Sequence, residues 1–160
     1  MERVPGLWLS RSWTTRARRS GERDDAYVFA DRAGFMDQVE QGGFLEWAEF
    51  LGELYGTPWP EAPPGHEVLL EIDVQGARQV LSQRPDAVVI LLVPPSYETL
   101  VRRMEARGDS PERARLRAEV GREEERQGRE LASAVIVNDD LDRAVGEVAG
   151  IVEAFRAARR

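Results

Sequence analysis

Residues 67–77 read EVLLEIDVQGA. An apolar run, Val68-Leu69-Leu70, leads into Glu71-Ile72-Asp73 and then Gln75-Gly76. The pattern predicts a strand over 68–73. Alternate strand residues share a face, so Glu71 and Asp73 are expected to point the same way. Two carboxylates at the carboxyl end of a buried parallel strand lie where open α/β sheets bind ligands, and they suit phosphate or metal chemistry. The same sequence contains no lysine, so no GxxxxGK[ST] motif exists in these 160 residues.

The segments around that strand set the fold class. The apolar runs AVVILLV (87–93) and AVIV (134–137) read as further buried strands. Helical patterns fill 76–83, the stretch after Ser96 with Leu100, Val101 and Met104, the charged stretch 110–129, and 141–158. Ser96 reads as an N-cap. Strands that are apolar throughout and alternate with helices imply a parallel sheet covered on both faces. The first part of the chain is different in kind. Short strands are expected at 7–12, 27–29, 44–50 and 54–55. An amphipathic helix is expected over 31–41, stopped by Gly42-Gly43, and a proline-rich connection over 58–65.

Composition narrows the function. With 42% apolar and 32% charged residues the chain is of soluble globular type, and 160 residues suffice for one domain. No apolar run is long enough for a membrane span, and no signal peptide opens the chain. There is no cysteine and one histidine, His66, on the proline-rich connection. Thiolate metal sites are excluded and a Ser/His/Asp triad is disfavoured; a cytoplasmic location is expected. A net charge of −7 argues against a nucleic-acid-binding body. Yet residues 11–23 concentrate Arg11, Arg16, Arg18, Arg19 and Arg23 against the single Glu22. A basic loop on an acidic protein points to a small anionic ligand; alone it is equally a solvated surface loop.

Within SWTTRARRSGE (12–22), the hydroxyls of Ser12, Thr14 and Thr15 precede Arg16 and Arg19. Forked guanidinium groups suit a dianionic phosphate. Tyr27 adds a phenol. Glu46 in FLEWAEF, with Tyr55 and Thr57 in LYGT, offers hydrogen bonds to a phosphate or a base edge. A carboxylate accepting from ring N–H and amino groups selects guanine over adenine.

These pieces, taken in order, resemble the guanylate kinase family. The resemblance rests on SWTTRARRSGE, Tyr27-Val28-Phe29, GGFLEWAEFLGELYGTP, VLLEIDVQGARQV, ILLVPPS, RMEARGDS and VIVNDDLDRA, and it covers roughly residues 7–147. It implies a P-loop-kinase-like parallel sheet with helices on both faces, a small mixed β subdomain for GMP, and a helical lid. The corresponding boundaries are a core of 1–13, 66–101 and 131–160, a GMP-binding subdomain of 14–65, and a lid of 102–130. The implied activity is ATP-dependent phosphorylation of GMP and dGMP to GDP, with Mg²⁺ accompanying ATP and with GMP and ATP as small-molecule partners. Neither nucleic acid nor membrane is implied, and oligomeric state is left open.

The resemblance also implies roles. Ser12, Arg16, Arg19, Tyr27 and Tyr55 match contacts to the GMP phosphate; Glu46, Thr57 and Asp73 match contacts to guanine. Glu71 falls near the metal and phosphates. Arg103, Arg107 and Arg117 match arginines that come in with the lid, and Asn138 matches a residue beside adenine. No protein side-chain cluster is expected to hold a metal by itself. Trp8, Trp13, Trp47 and Trp59 read as packing or surface residues, although Trp13, standing where the family has a small residue, is placed to crowd or line the GMP site. Arg113, Arg115, Arg122, Arg126 and Arg129 read as partners of nearby glutamates on an exposed helix. Asp139-Asp140 reads as the cap of the last helix.

The family opens with a strand, a glycine-rich loop and a helix, whereas the sequence in hand begins Met1-Glu2-Arg3-Val4. The loop before Tyr27 and the 58–65 connection are also shorter than the family's. Without the opening unit, ATP is expected to lose its main anchor, phosphoryl transfer to fall by orders of magnitude, and the sheet to lose a central strand. Three readings follow: a GMP kinase whose start is assigned too late, a non-catalytic guanylate-kinase-like module that binds GMP or a protein, and a truncated gene product.

Overall fold

The computed structural model describes residues 4–159. The chain divides into two compact units, Met1–Ala87 and Val88–Arg160. No described helix is long and apolar enough to cross a membrane.

The first unit holds β1 (Leu7–Leu9), β2 (Trp13–Thr14), β3 (Val28–Phe29), α1 (Arg32–Glu40), β4 (Phe44–Phe50), β5 (Glu53–Pro58), β6 (Glu67–Leu69) and α2 (Val74–Gln83). β1 and β6 pair in parallel, Leu7 opposite Glu67 and Leu9 opposite Leu69. The other four strands form a mixed sheet in the order β3-β2-β5-β4, parallel between β2 and β3 and antiparallel elsewhere. Its apolar face packs on α1. Phe35 and Leu54 are almost fully buried beside Phe44, with Trp13, Met36, Val39 and Trp47 around them. Phe35 stacks on Phe44 at 4.6 Å between centroids, and Trp13 meets Phe44 edge-on at 5.8 Å. Such aromatic pairs contribute roughly 0.5–1.5 kcal/mol each beyond their buried area. Gly56 lies under this cluster: a Cβ there would stand 3.0–3.1 Å from Phe35, Phe44 and Trp47.

β4 is an edge strand, and α2 covers it. The Gln79 side chain accepts from the Trp47 N–H (3.2 Å) and donates to the Trp47 carbonyl (2.7 Å), while Gln83 donates to the Leu45 carbonyl (2.8 Å). Two amide side chains thus satisfy backbone groups that an exposed edge would offer to another strand.

The second unit holds β7 (Ile90–Val93), α3 (Tyr97–Ala106), α4 (Pro111–Leu131), β8 (Ala134–Val137) and α5 (Leu141–Ala158). β7 and β8 pair in parallel, Ile90 opposite Ala134 and Val93 opposite Val137. Ser96, Ser110 and Asp140 cap α3, α4 and α5, each accepting from the N–H three residues on. The charged helix α4 packs against α3 through its small residues: Ala114 and Ala118 are fully buried, and Met104 on α3 is nearly so. Its outer face carries the expected ion pairs, Arg126 with Glu123 and Glu130, and Arg129 with Glu125. Arg122 instead lies 4.0 Å over the Tyr97 ring, and Arg113 faces Asp109 at 3.8 Å.

Four expectations need correction. The strand expected over 68–73 ends at Leu69. Its only ladder partner among the described residues is β1, and the last bond of that pairing runs from the Ser10 N–H to the Leu69 carbonyl. Beyond it the chain has no strand to pair with among the described residues, and Asp73 becomes the N-cap of α2. The strand expected over 7–12 likewise stops at Leu9, with β2 following outside that range, and the 87–93 run pairs only from Ile90. Finally, the apolar strands are not buried throughout: Leu92 is 52% exposed, and Val68, Val135 and Val137 are exposed as well. A two-stranded ladder covers one edge of each strand, so an apolar run there retains open surface.

Candidate functional site

Strand alternation sorts the first unit into two faces. On β5, Leu54 and Gly56 face the core, and Tyr55 and Thr57 face away from it. On β2, Trp13 lies opposite Gly56 and Thr14 opposite Tyr55. Trp13 therefore packs against the core, in keeping with its reading as a packing residue rather than with the alternative that it crowds or lines the GMP site. On β4 the register shifts between Phe44 and Glu46, Phe44 standing opposite Pro58 and Glu46 opposite Thr57. Without this bulge Phe44 and Glu46 would share a face. With it, Phe44 enters the core while Glu46 turns to the side of Thr57.

The outer face gathers the polar residues. Ser12 Oγ lies 3.4 Å from Thr57 Oγ1. Thr57 hydrogen-bonds the carboxylate of Glu46, which is only 5% exposed. Burial pushes the Glu46 carboxyl above its ordinary value, the nearby Asp73 pushes the same way, and the Thr57 bonds oppose both. Asp73 Oδ1 accepts from the Gly76 N–H at 2.8 Å, the cap of α2. Gly76 has a second role: a Cβ there would lie 2.4 Å from Glu46 Oε2. Only the lack of a side chain at the start of α2 leaves room for the buried carboxylate.

At the other end of this face stands Arg16, itself 8% exposed. Its guanidinium lies 5.4 Å from the centre of the Tyr27 ring, and Tyr27 meets Tyr55 edge-on at 6.5 Å. Burial raises the Tyr27 phenol, Arg16 opposes that shift, and Tyr55 and Glu71 add to it. Glu22 binds Arg16 through both carboxylate oxygens, at 2.7 and 3.1 Å. This contact holds the Glu22 carboxyl at about 2. Glu22 Oε2 also accepts from the Arg19 backbone N–H at 3.0 Å. Arg11 braces the loop from behind, donating to the carbonyls of Asp24 (2.9 Å) and Tyr27 (2.6 Å).

Within the first unit Ser12, Thr57, Glu46 and Asp73 form one cluster and Arg16, Tyr27 and Tyr55 another; Arg19 meets the second through its backbone N–H to Glu22, and Glu71 through its effect on the Tyr27 phenol. Acceptor groups lie around Glu46 and donor groups around Arg16. Glu22 and Gly76 are part of the same construction and were not singled out from sequence. The spacing of Glu22 from Arg16 and Arg19 resembles that of any acid in a basic loop, and Gly76 looks like an ordinary helix start.

The remaining candidates lie in the second unit. Arg103 is in the last turn of α3, and Arg107 is its C-cap. Arg117, on α4, faces Asp109 at 3.7 Å. Asn138 follows β8, its N–H bonded to the Val93 carbonyl at 2.8 Å. Among the described residues no group of three or more histidines and carboxylates could hold a metal ion by itself.

Comparison with known proteins gives a consistent result. The family model described as guanylate kinase matches residues 7–155. A guanylate kinase of Synechococcus sp. (strain CC9311) is 47% identical over 152 residues, spanning 92% of this chain and 80% of that protein. One from Thermus thermophilus is 47% identical over 158 residues, spanning 94% and 70%. Among solved structures, the guanylate kinase from Anaplasma phagocytophilum superimposes with a TM-score of 0.78 at 31% identity, over 96% of this chain and 78% of that one. The chain, in its fold and over nearly its whole length, belongs to the guanylate kinase family of nucleoside monophosphate kinases.

Proposed function

We propose that the chain transfers the γ-phosphoryl group of ATP to GMP, and to dGMP, giving GDP. One observation carries this reading: buried acceptors and forked donors share one face of one small sheet. Guanine presents a ring N–H and an amino group on the same edge. Glu46, Thr57 and the free oxygen of Asp73 supply acceptors for them, whereas adenine would bring a lone pair against the Glu46 carboxylate. Arg16, Arg19, Ser12, Tyr27 and Tyr55 supply the positive charge and O–H donors that a phosphate dianion needs. The GMP-binding subdomain is then 14–65, with Ser12, Glu71 and Asp73 contributed from the core.

The phosphoryl donor side is assigned to the second unit. Arg103, Arg107 and Arg117 neutralise charge on the transferred group as the lid, 102–130, closes, and Asn138 lies beside adenine. Arg117 exchanges its Asp109 contact for the phosphate. Phosphoryl transfer asks for position and charge compensation more than for covalent chemistry. Mg²⁺ would be held in the way kinases generally hold it, through the nucleotide phosphates and one or two carboxylates, and Glu71, an exposed carboxylate, is the residue we assign to it. When bound, the ion neutralises the donor phosphates.

A second reading, a GMP-binding module without turnover, rests on the acceptor-side residues alone, which lie within Met1–Ala87. ADP formation from ATP with GMP, and with AMP as control acceptor, separates the two. The kinase reading expects GMP-dependent ADP, and a fall in kcat/KM of roughly 10–100-fold in Arg16→Ala, as loss of a charged hydrogen-bonding group entails. Calorimetric GMP binding with no ADP above a no-enzyme control selects the binding module. No GMP binding overturns both.

A further inference from the structure

We propose that Glu22 is a positioning residue for anion binding: it holds the end-on edge of Arg16 and the backbone of Arg19 so that the remaining fork of Arg16 faces the phosphate. The inference rests on the assignment of Arg16 to the GMP phosphate.

A guanidinium offers five N–H groups in one plane. Glu22 takes one hydrogen from Nη1 and one from Nη2, and the Ala17 carbonyl takes the other Nη1 hydrogen at 2.7 Å. What is left is the side-on fork, Nε–H with the outer Nη2 hydrogen. Neither has a hydrogen-bond partner among the described residues. A phosphate dianion binds such a fork through two oxygens. Glu22 therefore does not occupy the anion site; it selects which edge of Arg16 is presented. The Tyr27 and Phe29 rings, 5.4 and 5.8 Å from the guanidinium carbon, limit its rotation from the side.

The loop is folded around this carboxylate. The Glu22 N–H bonds the Arg19 carbonyl at 3.2 Å, closing a turn in which Gly21 takes φ 78°. The Glu22 carbonyl accepts from Arg18 Nε and Nη2 at 2.9 and 2.6 Å. Side chain and backbone of one residue thus tie together Arg16, Arg18 and Arg19. In water a loop with that much positive charge would spread by self-repulsion; here Glu22 on Arg16, with Asp24 on Arg18 and Asp25 on Arg23, holds it closed before the ligand arrives, and ordering cost on binding is reduced.

Calorimetry on the full chain tests this with GMP and with guanosine, which lacks the phosphate. Glu22→Gln is expected to weaken GMP binding roughly tenfold or more, the scale of a lost charge-assisted contact. It should leave guanosine affinity within about twofold, and Glu22→Asp should recover part of the loss. Unchanged or tighter GMP binding in Glu22→Gln overturns the proposal, as does an equal loss for guanosine. Arg16→Ala keeps the two levels apart. If it too leaves GMP affinity unaltered, the phosphate assignment of Arg16 fails; if it weakens GMP while Glu22→Gln does not, only the positioning role fails.

Discussion

A carboxylate as enclosed as Glu46 gives up most of its hydration, and the Thr57 bonds return only part of it. Its carboxyl is raised above the ordinary value, so between the two the folded state binds more protons than the unfolded state. Stability is consequently lost as pH rises from about 4.5 through the raised value. Glu46→Gln removes that dependence. At pH 7 the variant is expected to melt above the parent, by ~2–4 °C for each kcal/mol recovered in a chain of this size. The gap should narrow toward pH 4.5, while GMP affinity falls roughly 10–100-fold. A variant less stable than the parent at pH 7 would show that the buried charge is fully compensated. At this scale the sequence was most legible where chemistry is written in residue type: hydroxyls, arginines and tyrosines in order. It was least legible where a residue acts through another, as Glu22 does on Arg16 and Gly76 does by leaving room for Glu46.

Elements were legible where a local signal is complete. The caps at Asp31, Ser96, Ser110 and Asp140 set helix starts, and Leu141–Ala158 begins and ends where its pattern does. Strand ends were not legible, because they depend on the partner: the apolar run at 68–70 continues past the point where β1 stops pairing. Nor was the bulge at Phe44–Glu46, which puts on opposite faces an apolar and an acidic position that regular alternation would put on one. The hairpin between β4 and β5 carries an anomaly of the same origin. Its two turn residues, Leu51 (φ 51°) and Gly52 (φ 83°), both take left-handed backbone. That is the turn the strand twist prefers, but Leu is a poor residue for its first position, and Leu51 is 40% exposed. Leu51→Asn is expected to stabilise the chain by ~0.5–1 kcal/mol, since the left-handed penalty of an L residue is ~1–2 kcal/mol and Asn escapes part of it. Thermal unfolding measures this, and a lowered Tm would mean that Leu51 contributes packing that its exposure does not suggest.

For the whole molecule, alternation of strands and helices made the α/β class readable, while which strands share ladders was not written in any local pattern. The proposed acceptor group lies entirely within Met1–Ala87, and the proposed donor-side arginines lie in Val88–Arg160. GMP alone should therefore act on the first unit. At a hundred times its Kd a ligand stabilises the state that binds it by ~2.7 kcal/mol, which slows exchange through opening of that unit roughly 100-fold. Amide hydrogen exchange is the suitable measurement, because it resolves opening segment by segment. With GMP, protection is expected to rise across 12–27, 53–57 and 71–77, and to stay near its unliganded level across α3 and α4. Adding a non-hydrolysable ATP analogue should extend protection to 102–130, where Arg103, Arg107 and Arg117 are carried. If GMP by itself protects Pro111–Leu131 as strongly as the arginine loop, the two units respond as one, and the assignment of acceptor and donor to separate units is wrong.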